Sequence, residues 1–369
     1  MGATYKNNIE LTIFGESHGK AIGITIGNLP SGIQIDLDEV SRDMKRRAPG
    51  QNKMSTARKE ADQVEILSGL QDGITTGAPL TGVIYNSDQH SKDYSLLKTN
   101  MRPGHSDYPA YIKYKGFNDV RGGGHFSGRI TAPIVFAGNI AKQILKQKGI
   151  IIGAHILSIG KIKDEKFPVN VDDEMLLKLS EKQYPTIKED VFEKMEATIL
   201  KARENLDSVG GKVECVALHV PAGIECVALH VPAGVGEPFF DSLESHLSSL
   251  MFSIPAVKSV SFGDGESIDE MLGSEANDCY YYDEEGNVRT STNHNGGITG
   301  GITNGMPVSC TVTFKPTPSI AKKQKTINIE TKENVELKIK GRPGPCIVQR
   351  AVVVVEAMMA LGILDMMRE

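Results

Sequence analysis

A chain of 369 residues, 40% hydrophobic and 24% charged, can bury a sizeable core in one large domain or in two or three ordinary ones. Its formal net charge of −5 argues against non-specific nucleic-acid binding as the main role. No segment reaches the roughly 18 apolar residues of a membrane span and no signal peptide precedes Leu11. The five cysteines form no Cys-x-x-Cys pair, so free thiols in a cytoplasmic protein are expected.

In chain order, Glu10 to Phe14 and Ile22 to Gly27 read as short strands flanking a Gly15-Glu-Ser17-His18-Gly19 turn. Asp36 to Arg47 reads as a helix capped by Asp36, with Leu37, Val40 and Met44 on one face and Pro49-Gly50 as its stop. Ala132 to Lys148 is expected to be a buried helix and Asp190 to Asn205 a more exposed amphipathic one. The run Cys346 to Met367 is apolar, but Gln349 and Glu356 interrupt it. It reads as a core helix, although Val352 to Val355 has strand character. With no linker in sight, short strands and long helices favour one α+β domain over 1–369.

One feature is anomalous. Val213 to Gly223 is followed at once by Ile224 to Gly234, with ten of eleven residues identical. Two copies are too few for a solenoid. Each carries its own Pro-Ala-Gly turn, so one copy is expected to loop out or form an extra hairpin. A tandem duplication or an error in the recorded sequence explains the repeat better than function does.

Four groups of residues could carry chemistry. Segment 42–59 concentrates Arg42, Lys45, Arg46, Arg47, Lys53, Arg58 and Lys59, with only Asp43 opposing within it. It is either a solvated face or a landing site for a polyanion, for which arginine suits carboxylate and phosphate. His18 and His105 each stand between a glycine and a serine, off any apolar periodic face, and Arg102 and Arg121 are close by in sequence. Such histidines suit proton transfer beside an anion. Arg121-Gly-Gly-Gly124, followed by His125, Phe126, Ser127 and Arg129, exposes backbone N–H groups ahead of a helix. It matches neither the dinucleotide fingerprint nor the Walker A loop. Asn293 to Gly301 is glycine-dense, and Lys315, Thr317 and Ser319 alternate on an extended segment suited to phosphate. No histidine spacing suggests a metal site. A nucleic-acid module using 42–59 has no fold signature and no interleaved aromatics behind it.

Together these motifs resemble the chorismate synthase family along nearly the whole chain. The resemblance rests on Gly15 to Gly19, Arg46-Arg-Ala-Pro-Gly50, Arg58-Lys-Glu-Ala-Asp62 with Ile66 to Gly69, Arg102-Pro-Gly-His-Ser-Asp107 and Arg121 to Gly124. It continues through Asp207 to Gly211, Phe262-Gly-Asp-Gly265, Asn295 to Gly301, Lys315-Pro-Thr317 and Gly341-Arg342. It implies helices enclosed between antiparallel sheets in a β-α-β sandwich, a homotetramer, and conversion of 5-enolpyruvylshikimate 3-phosphate to chorismate and phosphate by a 1,4-anti elimination with reduced FMN. By that resemblance His18 serves the leaving phosphate, His105 serves the reduced flavin, and Ser17 and Ser127 hold the reacting groups. His125, Phe126, Ser127, Pro255, Ala256, Gly300, Lys315, Pro316, Thr317, Pro318, Ser319 and Arg342 match flavin-binding segments. Arg46, Arg47, Lys53, Arg58 and Arg129 fall at basic substrate- or NADPH-associated positions. Lacking a Rossmann fingerprint, the chain is expected to depend on an external flavin reductase, with NADPH as an indirect reductant.

Two positions depart from the family pattern besides the repeat. Pro343-Gly344 stands where the family has His-Asp, so a carboxylate that manages the flavin proton is missing, and neither replacement can accept a proton at a side chain. Glu266 replaces a common phenylalanine and would oppose an anion if it pointed inward. The alternative implied is a weakened homologue that binds FMN and substrate.

Overall fold

The structure, a computed structural model, describes residues 2–49, 62–86, 96–221, 234–339 and 344–367. These fall into two compact units. The first comprises Met1–Phe136, Glu193–Gly210 and Lys315–Arg350, and the second Ala137–Phe192, Gly211–Phe314 and Ala351–Glu369.

The first unit is built on a five-stranded antiparallel sheet in the order Thr4–Lys6, Glu10–Gly15, Ala21–Gly27, Leu80–Tyr85, Glu65–Ser68. Ile22, Ile24 and Ile26 recur with the period of a strand and all three are buried. Gly82 in the neighbouring strand is dictated by packing, since a Cβ there would lie 2.4 Å from the Phe136 ring. The Leu37–Arg47 helix starts where Asp36 Oδ1 accepts the backbone N–H groups of Asp38 and Glu39. Val40 and Met44 face the core as their spacing requires, whereas Leu37 is exposed. At its other end Arg350 Nε donates to the Arg47 carbonyl at 2.7 Å, satisfying one of the helix's terminal acceptors.

The second unit has its own five-stranded antiparallel sheet, ordered Val257–Phe262, Val308–Phe314, Gly211–Leu218, Ile151–Ile159, Ile162–Lys163. The first copy of the repeat supplies its central strand, with Val213, Cys215, Val216 and Ala217 buried. The second copy, apart from Gly234, lies outside the described residues, and with it Cys226. Cys215 faces Cys310 across the strand pair; both are free thiols, and burial pushes Cys310 up to about 12. His155 is enclosed between Glu214 at 2.8 Å and Asp164 at 3.4 Å. Burial disfavours its charge, but the two carboxylates outweigh that and raise its pKa.

The expected long helices form at Thr131–Gln147, Glu189–Glu204 and Val348–Met366, each within a residue or two of the sequence reading. Residues 351–366 are buried on every side, and apart from Glu356 and Asp365 the helix is apolar all round; the strand character of Val352 to Val355 yields to that packing. Among the described residues no helix is long and apolar enough to cross a membrane. Gly138 and Ala357 bring two helices of the second unit into backbone contact, since a Cβ on Gly138 would lie 2.1 Å from that of Ala357. Gly138→Ala should therefore cost about 1–3 kcal/mol in a urea melt, against about 0.5 kcal/mol or less for Gly273→Ala, whose added carbon meets nothing within 4 Å. Equal midpoints for the two variants would show that the helices can separate without loss.

Candidate active site

Two consecutive glycines organise the site. Gly122 and Gly123 have φ of 58° and 86°, a left-handed conformation that L side chains rarely adopt. A Cβ on Gly122 would lie 2.2 Å from His18 Nδ1 and 3.0 Å from Ser17 Oγ. One on Gly123 would lie 3.3 Å from His105 Nε2 and 3.7 Å from the Ser127 Cβ. Bare backbone thus lets both imidazoles and both serines named from the sequence meet one loop, all within the first unit. The loop is fixed from both ends: Ser17 N donates to the Gly124 carbonyl at 3.1 Å, and His125 Nδ1 donates to the Gly15 carbonyl at 2.8 Å. Ser17 and His18 are buried, and His125 and Phe126 are exposed. Asp119 takes the Arg121 guanidinium and backbone N–H; hydrogen bonds from Arg121 outweigh burial and hold Asp119 low, with a smaller contribution from His18.

The second histidine belongs to a dyad. Asp107 Oδ1 lies 2.6 Å from His105 Nδ1, and Arg102 reaches both Asp107 oxygens at 2.8 Å. Burial pushes the Asp107 carboxyl up, but the hydrogen bonds from Arg102 and His105 outweigh it and hold it well below the usual carboxylate range. An ionised carboxylate can only accept, so Nδ1 carries the hydrogen between them and Nε2 is the nitrogen presented to Gly123. Arg102 also donates from Nη1 to Ser319 Oγ at 3.2 Å, and Lys315 Nζ donates to the Gly104 carbonyl at 2.5 Å. These contacts hold the Lys315–Ser319 segment against the His105 turn. Ser208 Oγ donates to the Thr317 carbonyl, and Thr317 Oγ1 to the Gly344 carbonyl.

Arg47 and Arg129, placed at anion-binding positions by resemblance, lie below this surface, 2% and 5% exposed. Asp62 joins them: Oδ2 accepts from Arg47 Nη1 at 2.7 Å and Oδ1 from Arg129 Nη1. Burial would raise the Asp62 carboxyl, but the two guanidiniums outweigh it and keep it lowered and ionised. Arg47 also donates to the Gly128 carbonyl and Thr131 Oγ1, and Arg129 Nε donates to Asn86 Oδ1. Arg46 pairs with Asp43 at 2.9 Å on the half-buried side of its helix.

The remaining positions separate. Pro255, Ala256 and Gly300 belong to the second unit; Ala256 and Gly300 stand in turns with φ of 75° and 64°. Glu266, also there, forms an ion pair with Lys212, so its charge is matched locally. Asp278 accepts the Asn295 side chain and the backbone of His294 and Asn295, fixing the glycine-dense turn. Lys53, Arg58, Arg342 and Pro343 lie outside the described residues. Sequence reasoning assigned no role to Asp62, Asn86, Asp107 or Asp119. Asp62 and Asp107 stood inside quoted motifs as the natural partners of arginine and histidine; Asn86 carried no signal at all.

An α+β chain with two histidines on a glycine loop, backed by buried arginines, defines an enzyme that handles protons beside an anionic ligand. The chorismate synthase family model matches residues 9–368, through both units. A chorismate synthase from Thermococcus gammatolerans is 45% identical over 97% of this chain and 95% of its own length. One from Methanocaldococcus jannaschii is 44% identical over 99% and 96%. A crystal structure of chorismate synthase superposes with a TM-score of 0.74 and 27% identity, covering 98% of this chain and 92% of that one. The chain belongs to the chorismate synthase family, carbon–oxygen lyases of the shikimate pathway, and has its α+β fold.

The Asp107 carboxyl is lowered on folding, so its stabilisation is complete above the unfolded pKa and fades as pH falls toward the lowered value. Asp107→Asn should cost about 3–5 kcal/mol at pH 7 by leaving buried Arg102 uncompensated. The gap to the parent should narrow by about 1 kcal/mol at pH 3, measured by urea unfolding. A gap that stays constant from pH 7 to 3 would contradict the lowered carboxyl.

Proposed function

We propose that this protein converts 5-enolpyruvylshikimate 3-phosphate to chorismate and phosphate by a 1,4-anti elimination, with reduced FMN as cofactor. The observation that carries the reading is the convergence of His18, Ser17, His105 and Ser127 on Gly122-Gly123. Elimination breaks an allylic C–O bond and a C–H bond and forms a double bond. The departing phosphate gains negative charge that a proton donor or cation must meet. His18, buried beside Ser17 and Asp119, serves that oxygen. His105, held through Nδ1 by Asp107, presents Nε2 toward the flavin to exchange a proton. Arg47 and Arg129 bring two guanidinium charges to the Asp62 carboxylate behind the site, and the resemblance assigns Arg46, Lys53 and Arg58 to substrate or NADPH.

The residues present suit the flavin. Lys315, whose hydrogen bond goes to a neutral carbonyl, retains a charge for a phosphate, and Thr317 and Ser319 lie along the same segment. The resemblance assigns His125, Phe126, Ser127, Pro316, Pro318 and Arg342 to flavin-binding segments, and likewise Pro255, Ala256 and Gly300 of the second unit. When bound, reduced flavin supplies electron density to the allylic system. The reading also includes one catalytic domain spanning both units, a homotetramer in the cytoplasm, and reduced FMN from an external reductase that uses NADPH.

The test is anaerobic turnover with chemically reduced FMN, following chorismate and phosphate together. Equal appearance of both is expected. Flavin and substrate binding without turnover would favour the weakened homologue implied by Pro343-Gly344. His18→Ala and His105→Ala should each lower kcat by about 10²–10⁴-fold with FMN affinity retained; full activity in either removes that histidine from the mechanism.

A further inference from the structure

We infer that Asp62 and Asn86 are positioning residues that set the Ser17-His18 turn through Arg129. The inference rests on the role proposed for His18 but on a different set of side chains. The Asp62 side chain is 0% exposed and bonds both guanidiniums, so its rotamer is determined from two sides. It thereby orients Arg129, whose Nε donates to Asn86 Oδ1 at 2.8 Å. That bond settles which way the amide points: reversed, Asn86 would set an NH₂ group against a guanidinium donor. With the carbonyl so committed, Nδ2 donates to the Gly19 carbonyl at 2.7 Å and the Glu16 carbonyl at 3.2 Å. Those two carbonyls bracket Ser17-His18, and the Asn86 backbone N–H adds a bond to the Lys20 carbonyl at 3.1 Å.

The other side of Asp62 works similarly. Arg47 Nη2 donates to the Gly128 carbonyl at 2.9 Å, which also accepts Thr131 Oγ1 at 2.6 Å. Gly128 follows Ser127 directly. One carboxylate therefore refers two serines and a histidine, from segments about 110 residues apart, to a single buried point. Each link is directional and charge-assisted except the last, and errors of about 1 Å at a reacting group can cost about 10²-fold in rate. Asp62 itself has φ of 45°, an uncommon conformation for a residue with a side chain and one that aspartate tolerates better than most.

Asn86→Ala tests this without unbalancing the buried charges. Hydrogen exchange followed by mass spectrometry should show amides in 15–20 exchanging about tenfold faster, with the Glu10–Phe14 and Leu80–Ile84 strands unchanged. In turnover kcat should fall about tenfold or more with KM within about threefold, and in a His18→Ala background the same change should cost no more than about twofold. Unchanged exchange in 15–20, acceleration spread through the unit, or a full additional penalty without His18 would each overturn the inference. Asp62→Asn should loosen 15–20 and 127–131 together; if it does not fold, Asn86→Ala still decides. Lack of turnover in the parent protein would sink the proposed reaction, while the exchange measurement would still judge whether Asn86 holds the turn.

Discussion

A carboxylate with no solvent exposure stays ionised only where cations meet it, and Asp62 meets two. Each of those guanidiniums is buried for the same reason, so none of the three can be placed independently. Arg47 arrives at the end of a helix whose start is fixed by Asp36, and Arg129 comes from the turn that leads into a core helix. Their common partner therefore ties helix packing to the height of the glycine loop. Buried ion pairs are often no more stabilising than well-packed apolar residues of similar volume. What the ionic group adds is direction, since each donor has one place to go.

Above that layer the geometry of the loop depends on missing side chains. Gly122 admits His18 to a distance that a Cβ would occupy, Gly123 leaves His105 room that a Cβ would tighten, and the left-handed φ of both favours glycine through the backbone. The two histidines are held differently. His105 is locked by an ionised aspartate and so has one defined working nitrogen, whereas His18 is placed by the turn that carries it and by contacts with the loop. Such division suits an elimination in which one group serves a departing phosphate and another stands by a cofactor.

The positions expected to depart from the family pattern have local partners: Glu266 pairs with Lys212, and the Gly344 carbonyl accepts from Thr317 Oγ1, bracing the Lys315–Ser319 segment. The repeat leaves the second sheet intact, because its first copy satisfies the full ladder between Ile151–Ile159 and Val308–Phe314.

Local rules were enough for the elements. The Asp36 cap, the period-two isoleucines and the apolar C-terminal run each announced the structure they form, because capping and periodicity act over a few residues. The motifs also named the histidines, the serines and the glycine loop. Topology and partnership were not legible. Strand order depends on which edges meet after collapse. Nothing near Asn86 marks it as the link between Arg129 and the Ser17-His18 turn, because hydrogen bonds between residues 43 and 70 positions apart leave no periodic trace. Likewise, a cluster of basic residues reads the same in sequence whether it faces solvent or a buried carboxylate. The sequence motifs, taken together, were enough to place this chain in its family. Only the tertiary structure decided that Arg47 and Arg129 are buried beneath the site, since burial of charge depends on a partner the chain brings from elsewhere.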